Sequence, residues 1–88
     1  MLTEITELYG RPVYNPQGIL IGEISDIILD TDREDIYGLY LERANTGIVE
    51  NGSAISIPFR WIQAIGEIII LRKFPQTVKA PEEPANYL

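Results

Sequence analysis

The stretch Ile19-Leu20-Ile21-Gly22-Glu23-Ile24-Ser25-Asp26-Ile27-Ile28-Leu29-Asp30 decides the fold. Ile19 and Ile21 start a strand-like alternation, but Ile24 and Ile28 fall on the opposite parity, and the slip occurs around Gly22. Strand side chains alternate between faces with a period of two, so a slip at a glycine predicts a strand that bulges or bends sharply there.

Upstream, Thr3 to Gly10 reads as a short helical turn with Thr3 as cap, Ile5, Leu8 and Tyr9 on one side and Gly10 at its end. Arg11 to Tyr14 reads as a strand. Asn15-Pro16-Gln17-Gly18 is a turn signal, because proline presets φ and glycine accepts positive φ, and a hairpin follows. Downstream, Asp30 to Asp35 is a polar turn, and Ile36 to Ala44 is a strand with Leu39 and Leu41 on one face and Tyr40 and Glu42 on the other. Asn45 to Gly52 reads as a loop. Ser53 to Ile57 alternates with Ile55 and Ile57 inward, and Pro58 ends it. Phe59 to Ile62 has room for one helical turn, Gln63-Ala64-Ile65 leads into a tight turn at Gly66-Glu67, and Ile68 to Lys73 is the last strand. Five to six short strands with short helical turns predict an all-β fold, a small barrel or sandwich. The expected domain covers residues 1–73. Residues 74–88, with Pro75, Pro81 and Pro84, are expected to form a flexible tail ending in Asn86-Tyr87-Leu88.

With 88 residues the chain is one small domain that buries only about 60–65% of its unfolded surface. It has no cysteine and no histidine, so neither disulfides nor a structural zinc site support it, and oligomerisation is the remaining common route to extra buried surface. The same two zeros exclude Ser-His-Asp and Cys-His nucleophile systems, imidazole bases and soft metal ligands. Thirteen acidic against seven scattered basic residues give a net charge of −6, which argues against direct nucleic-acid binding. The longest apolar run, Ile68 to Leu71, is far short of the ~20 residues that span a bilayer, so no membrane insertion is expected. The N-terminus lacks a basic leader region, and a cytoplasmic location is expected.

The acidic residues Asp26, Asp30, Asp32, Glu34 and Asp35 invite a calcium hypothesis, which their spacing refuses. A calcium loop begun at Asp30 puts Asp35 where glycine is required and Leu41 where the bidentate glutamate belongs. A solvated hairpin turn is the plainer reading. A carboxylate pair for acid/base chemistry would need an apolar pocket to separate the two acidities, and nothing in the sequence supplies one. No catalytic residue, metal or cofactor is therefore expected. Trp61 reads as a plug at one end of the barrel or as an interface anchor shared with Phe59 and Arg60. Tyr40 is the tyrosine expected to be partly exposed; with Tyr87 and Leu88 these complete the candidate partner-binding residues. The last strand is apolar on both faces: Ile68 and Ile70 on one, Ile69 and Leu71 on the other. One face fills the interior and the other needs a cover, either the N-terminal turn or a second copy, which makes these four residues candidates for a dimer interface.

Tyr9-Gly10-Arg11-Pro12-Val13-Tyr14, the turn ending at Gly18, Ile21 to Asp30, Ser56-Ile57-Pro58 with Ile62, and Ile65 to Ile70 together resemble a PRC-barrel domain over roughly residues 5–73. The resemblance implies a non-enzymatic docking β-barrel. That family includes the cytoplasmic domain of the photosynthetic reaction-centre H subunit, a domain of ribosome maturation factors, and stand-alone archaeal proteins of about this length. The chain is most similar to the last class, associated with cell division, which implies binding to the membrane anchor of the tubulin-like division ring and pairing as a homodimer or with a paralogue. Gly22 and Asp26 match the family's glycine and aspartate, with structural roles implied at the bend. The expected function is thus a protein-protein adaptor, recruited to the division site. The alternative is a ribosome-maturation or RNA-processing accessory that binds ribosomal protein.

Overall fold

A computed structural model describes residues 5–79. The described chain forms seven strands: β1 (Pro12–Tyr14), β2 (Leu20–Glu23), β3 (Asp26–Asp30), β4 (Asp35–Leu41), β5 (Ile55–Pro58), β6 (Ile62–Ile65) and β7 (Ile69–Leu71). Three short 3-10 turns, Ile5–Leu8, Glu50–Gly52 and Phe59–Trp61, are its only helical elements among the described residues. The strands make two sheets, one ordered β2-β1-β7-β6 and the other β3-β4-β5. The fold is therefore all-β and barrel-like, but its two sheets do not close into one.

The isoleucine-rich stretch bends as its parity slip requires. It is two strands in different sheets, and the corner is Ile24-Ser25. The Ile24 N–H donates to Arg11 O (3.0 Å) and Ile24 O accepts from Gly10 N (2.8 Å), on the side of the four-stranded sheet. One residue later, Ser25 N donates to Tyr40 O (2.8 Å) and Ser25 Oγ accepts from Glu42 N (2.9 Å), on the side of the three-stranded sheet. The bend lets Ile21, Ile24 and Ile27 all point inward at a spacing of three, which no straight strand allows. Asp26 Oδ1 accepts from Ile27 N (2.8 Å) just past the corner, in the structural role the family resemblance implied.

Gly22 lies two residues before the corner, for reasons of space. A Cβ there would sit 2.6 Å from Arg43 O and 3.0 Å from Leu41 Cδ2, because the chain after β4 crosses β2 and bridges Gly22 to Ala44. Gly38 is confined in the same way by the Ile57 carbonyl of neighbouring β5.

Three of the four antiparallel pairs, β1–β2, β3–β4 and β6–β7, carry a register shift; β4–β5 does not. Such bulges increase local twist and let very short strands coil around a small core. The core consists of Leu8, Val13, Ile21, Ile24, Ile27, Leu39, Leu41, Ile57, Ile62, Ile69 and Leu71, with Ile55, Phe59, Trp61 and Phe74 packed against it. Leu39 and Leu41 face inward while Tyr40 is half-buried and Glu42 exposed, as the alternation predicts. Of the N-terminal turn only Leu8 is buried; Ile5 and Tyr9 remain exposed.

The sequence misses β6. Its bulge between Ile62 and Ala64 destroys the alternation, so Ile62 is buried while Gln63, Ala64 and Ile65 are all exposed. The expected last strand shortens to Ile69–Leu71. Residues 74–79, expected as part of the flexible tail, are tied to the domain. Phe74 packs on the core, and Val78 pairs with Val49 through Val78 N to Ile48 O (2.8 Å) and Glu50 N to Val78 O (2.7 Å). Tyr87 and Leu88 lie outside the described residues.

Gly22→Ala and Gly38→Ala are each expected to destabilise by about 1–3 kcal/mol, since both force backbone apart. Gly66→Ala is the control: its Cβ would have 3.9 Å to the nearest atom, and its effect should stay within about 0.5 kcal/mol. Urea midpoints measure all three. A chain ending at Lys73 should be less stable than one ending at Lys79 by roughly 2–4 kcal/mol, from the lost Phe74 packing and Val78 hydrogen bonds; thermal melts of the two compare them directly.

Candidate functional site

β7 is central in its sheet, pairing parallel to β1 and antiparallel to β6. Its alternation splits the doubly apolar run. Ile69 and Leu71 are completely buried among core residues and are therefore unavailable to a second chain, which corrects half of the expected dimer interface. Ile70 is half-buried on the outer face and Ile68, just before the strand, is exposed.

Register carries that outer face across the whole sheet. Tyr14 pairs with Ile70, Leu20 with Tyr14, and Ala64 with Ile70, so one residue from each strand stands in the row Leu20-Tyr14-Ile70-Ala64. No member of this row is charged. The corresponding row on the other sheet, Asp26-Tyr40-Ser56, is polar. The two rows thus differ in chemistry, although each has a neighbour of the other kind: Ile28-Gly38-Pro58 on the three-stranded sheet is apolar, and Pro12 on the four-stranded sheet pairs with exposed Glu23. Ile68, two residues before Ile70, extends the apolar face at the β6–β7 turn, whose geometry is fixed by Arg11 Nη1 donating to Gly66 O (2.6 Å) and Gly66 N donating to Ile68 O (2.9 Å).

The candidate partner-binding residues are not brought together as one patch. Tyr40 is half-buried in the polar row on β4. Trp61 is held edge-on to Phe74, with ring centroids 6.2 Å apart at 87°, and Lys73 Nζ lies 5.2 Å from its ring centroid. Its indole N–H is buried without a hydrogen-bond partner among the described residues. Trp61 is half-buried and packs against the core. Phe59 packs half-buried beside it in sequence, while exposed Arg60 lines a groove of about 270 Å³ together with Phe59, Arg33 and Tyr37.

Tyr37 was not a candidate, yet it is more exposed than Tyr40. β3 pairs Ile28 with Gly38 and Leu29 with Ile36, so Tyr37 is the extra residue of a bulge. Tyr14, Leu20 and Ala64 were missed for a different reason: the parallel pairing of β1 with β7 aligns Tyr14, and through it Leu20, with Ile70, while Ala64 reaches Ile70 through the bulged β6. No cluster of three or more potential metal ligands occurs among the described residues.

The sequence model of the PRC-barrel domain matches residues 3–77. The chain belongs to the PRC-barrel family. The match runs past Lys73 and includes Phe74, in agreement with the packing of that ring on the core. No curated protein matches the chain. No helix among the described residues of this PRC-barrel protein is long and apolar enough to cross a membrane.

The division of β7 into two faces has a direct test. Ile69→Ala and Leu71→Ala should each cost about 2–5 kcal/mol, the range for emptying a packed core site. Ile68→Ser, on an exposed side chain, should change stability by about 0.5 kcal/mol or less. Chemical denaturation of the three variants separates the inner face from the outer one.

Proposed function

We propose that this PRC-barrel protein is a non-catalytic protein-protein adaptor that pairs with a second copy of itself through the outer face of its four-stranded sheet. The observation that carries the reading is the uncharged row Leu20-Tyr14-Ile70-Ala64, continued by Ile68. A chain of net charge −6 repels its own copies, and an uncharged row is where two copies approach with least repulsion. Two such faces related by a two-fold axis are self-complementary and pack at the usual sheet spacing of roughly 10 Å. The burial also addresses the stability deficit of a small domain without disulfides or metal.

The chemistry of the chain supports a non-enzymatic role, since it offers no imidazole and no thiol. The membrane anchor of the archaeal division ring is the first partner to try, on the family resemblance, and an adaptor of this kind would reach the division site through it.

Light scattering coupled to size exclusion tests the pairing. The unmodified chain should elute at twice its monomer mass, and Ile70→Glu, which places a carboxylate at the centre of the row, should give a folded monomer. A monomeric unmodified chain, or a dimer untouched by both Ile70→Glu and Leu20→Glu, sinks the proposal. Mixing with purified division-ring anchor should give a complex; association with ribosomal subunits in its place would favour the ribosome-maturation reading.

A further inference from the structure

A second surface lies on the other sheet. Beside the β3–β4 hairpin is a groove of about 450 Å³ lined by Ile5, Leu29 and Ile36 and by the carboxylates of Asp30, Glu34 and Asp35. Leu29, at 55%, is the most exposed of the large apolar side chains described. The lining contains three acids and no base, whereas Arg33 and Arg60 line the neighbouring groove with Tyr37 and Phe59. Asp30 and Asp35 line both grooves, so the basic side chains are gathered on one side only.

We propose that this groove binds an extended protein segment in which apolar side chains alternate with lysine or arginine. The apolar walls favour apolar side chains, whose transfer from water is the main driving force of such contacts. The carboxylates give the charge complementarity that selects basic residues beside them. Two of them are already oriented. Asp30 Oδ1 accepts from the backbone N–H groups of Asp32 (3.1 Å) and Arg33 (3.2 Å), and Asp35 Oδ1 accepts from Ile36 N (2.7 Å). The Oδ2 atoms make no such bond among the described residues, and are available to a cation. β3 is an edge strand, so its outer side offers a template on which an extended segment can add as a further strand. An alternating segment suits that geometry, because one face of an added strand turns toward the groove and the other toward solvent.

This deepens the adaptor reading by giving the partner's chemistry, and it uses none of the residues of the self-pairing face. The two therefore fail separately, one in the mass measured by light scattering and the other in the test that follows.

The test is amide chemical-shift mapping on the full chain with three heptapeptides: alternating Lys and Ile, alternating Glu and Ile, and alternating Lys and Ser. The Lys/Ile peptide should move the amides of Leu29, Asp30 and Ile36 and bind more weakly as salt rises. Glu34→Lys should weaken it by about tenfold, and Leu29→Glu should abolish it. Leu29 is exposed, so that variant keeps its fold, which the remaining amide spectrum verifies. The Glu/Ile and Lys/Ser peptides should leave the groove amides unmoved. The proposal is overturned by equal binding of the Glu/Ile peptide, by undiminished binding to Leu29→Glu, by shifts confined to Tyr14 and Ile70, or by no shifts. Concentration-dependent shifts of the same amides without any peptide would assign the groove to self-association and overturn it equally.

Discussion

Arg43 O lies 2.6 Å from where a side-chain carbon on residue 22 would be, and the rest of the fold depends on that approach. It means that the chain leaving β4 crosses directly over β2. The crossing then fixes itself with backbone bonds: Gly22 bridges Ala44, Asn45 N donates to Ile21 O (2.7 Å), and Asn45 Nδ2 donates to Leu20 O (2.7 Å). With β2 fastened on one side to β1 and on the other to residues 44–45, the two sheets share a corner although they do not close. A methyl group on residue 22 would part them, and Ile21 and Leu41, both completely buried, would lose their packing.

The register shifts work with the crossing. Strands of three to five residues cannot wrap a core by gradual twist alone, and a bulge concentrates the twist at one residue. Each shift also re-aims a side chain. In β4 it leaves Tyr37 outside, beside Arg33 and Arg60. In β6 it turns Gln63 and Ala64 outward while Ile62 stays in the core. The devices that close a small interior therefore also decide which residues reach the surface.

That coupling sets what was legible in the sequence. The bend near Gly22 was legible because a parity slip at a glycine has few structural solutions. The faces of β4 from Leu39 to Glu42 were legible because that segment is unbulged and alternates cleanly. β6 was not, since a bulge erases the period-two signal by which strands are recognised. The docking of Val78 beside Val49 was hidden by Pro75, which helped to mark residues 74–88 as a flexible tail. Proline forbids a ladder bond only at its own nitrogen, and three residues later the chain is free to pair. The outer row of the four-stranded sheet was half legible: Ile68 and Ile70 declared an apolar face, but Tyr14 and Leu20 join it through pairing across more than fifty residues, which no local pattern encodes.

The position of β7 explains why a strand can be apolar on both faces here. As a central strand it has β1 on one side and β6 on the other, so neither edge is open to solvent. Its inner face completes the core through Ile69 and Leu71, and this alone would be served by alternating apolar and polar residues, as in β4. The sequence instead places Ile70 outward, next to Tyr14 and Ala64, on the sheet that joins the two ends of the domain. The three-stranded sheet alternates instead, with the polar row Asp26-Tyr40-Ser56 beside the apolar row Ile28-Gly38-Pro58. In a domain of this size the outward row through Ile70 is apolar surface the fold itself leaves half-buried or exposed, and it is the feature on which the proposed self-pairing rests.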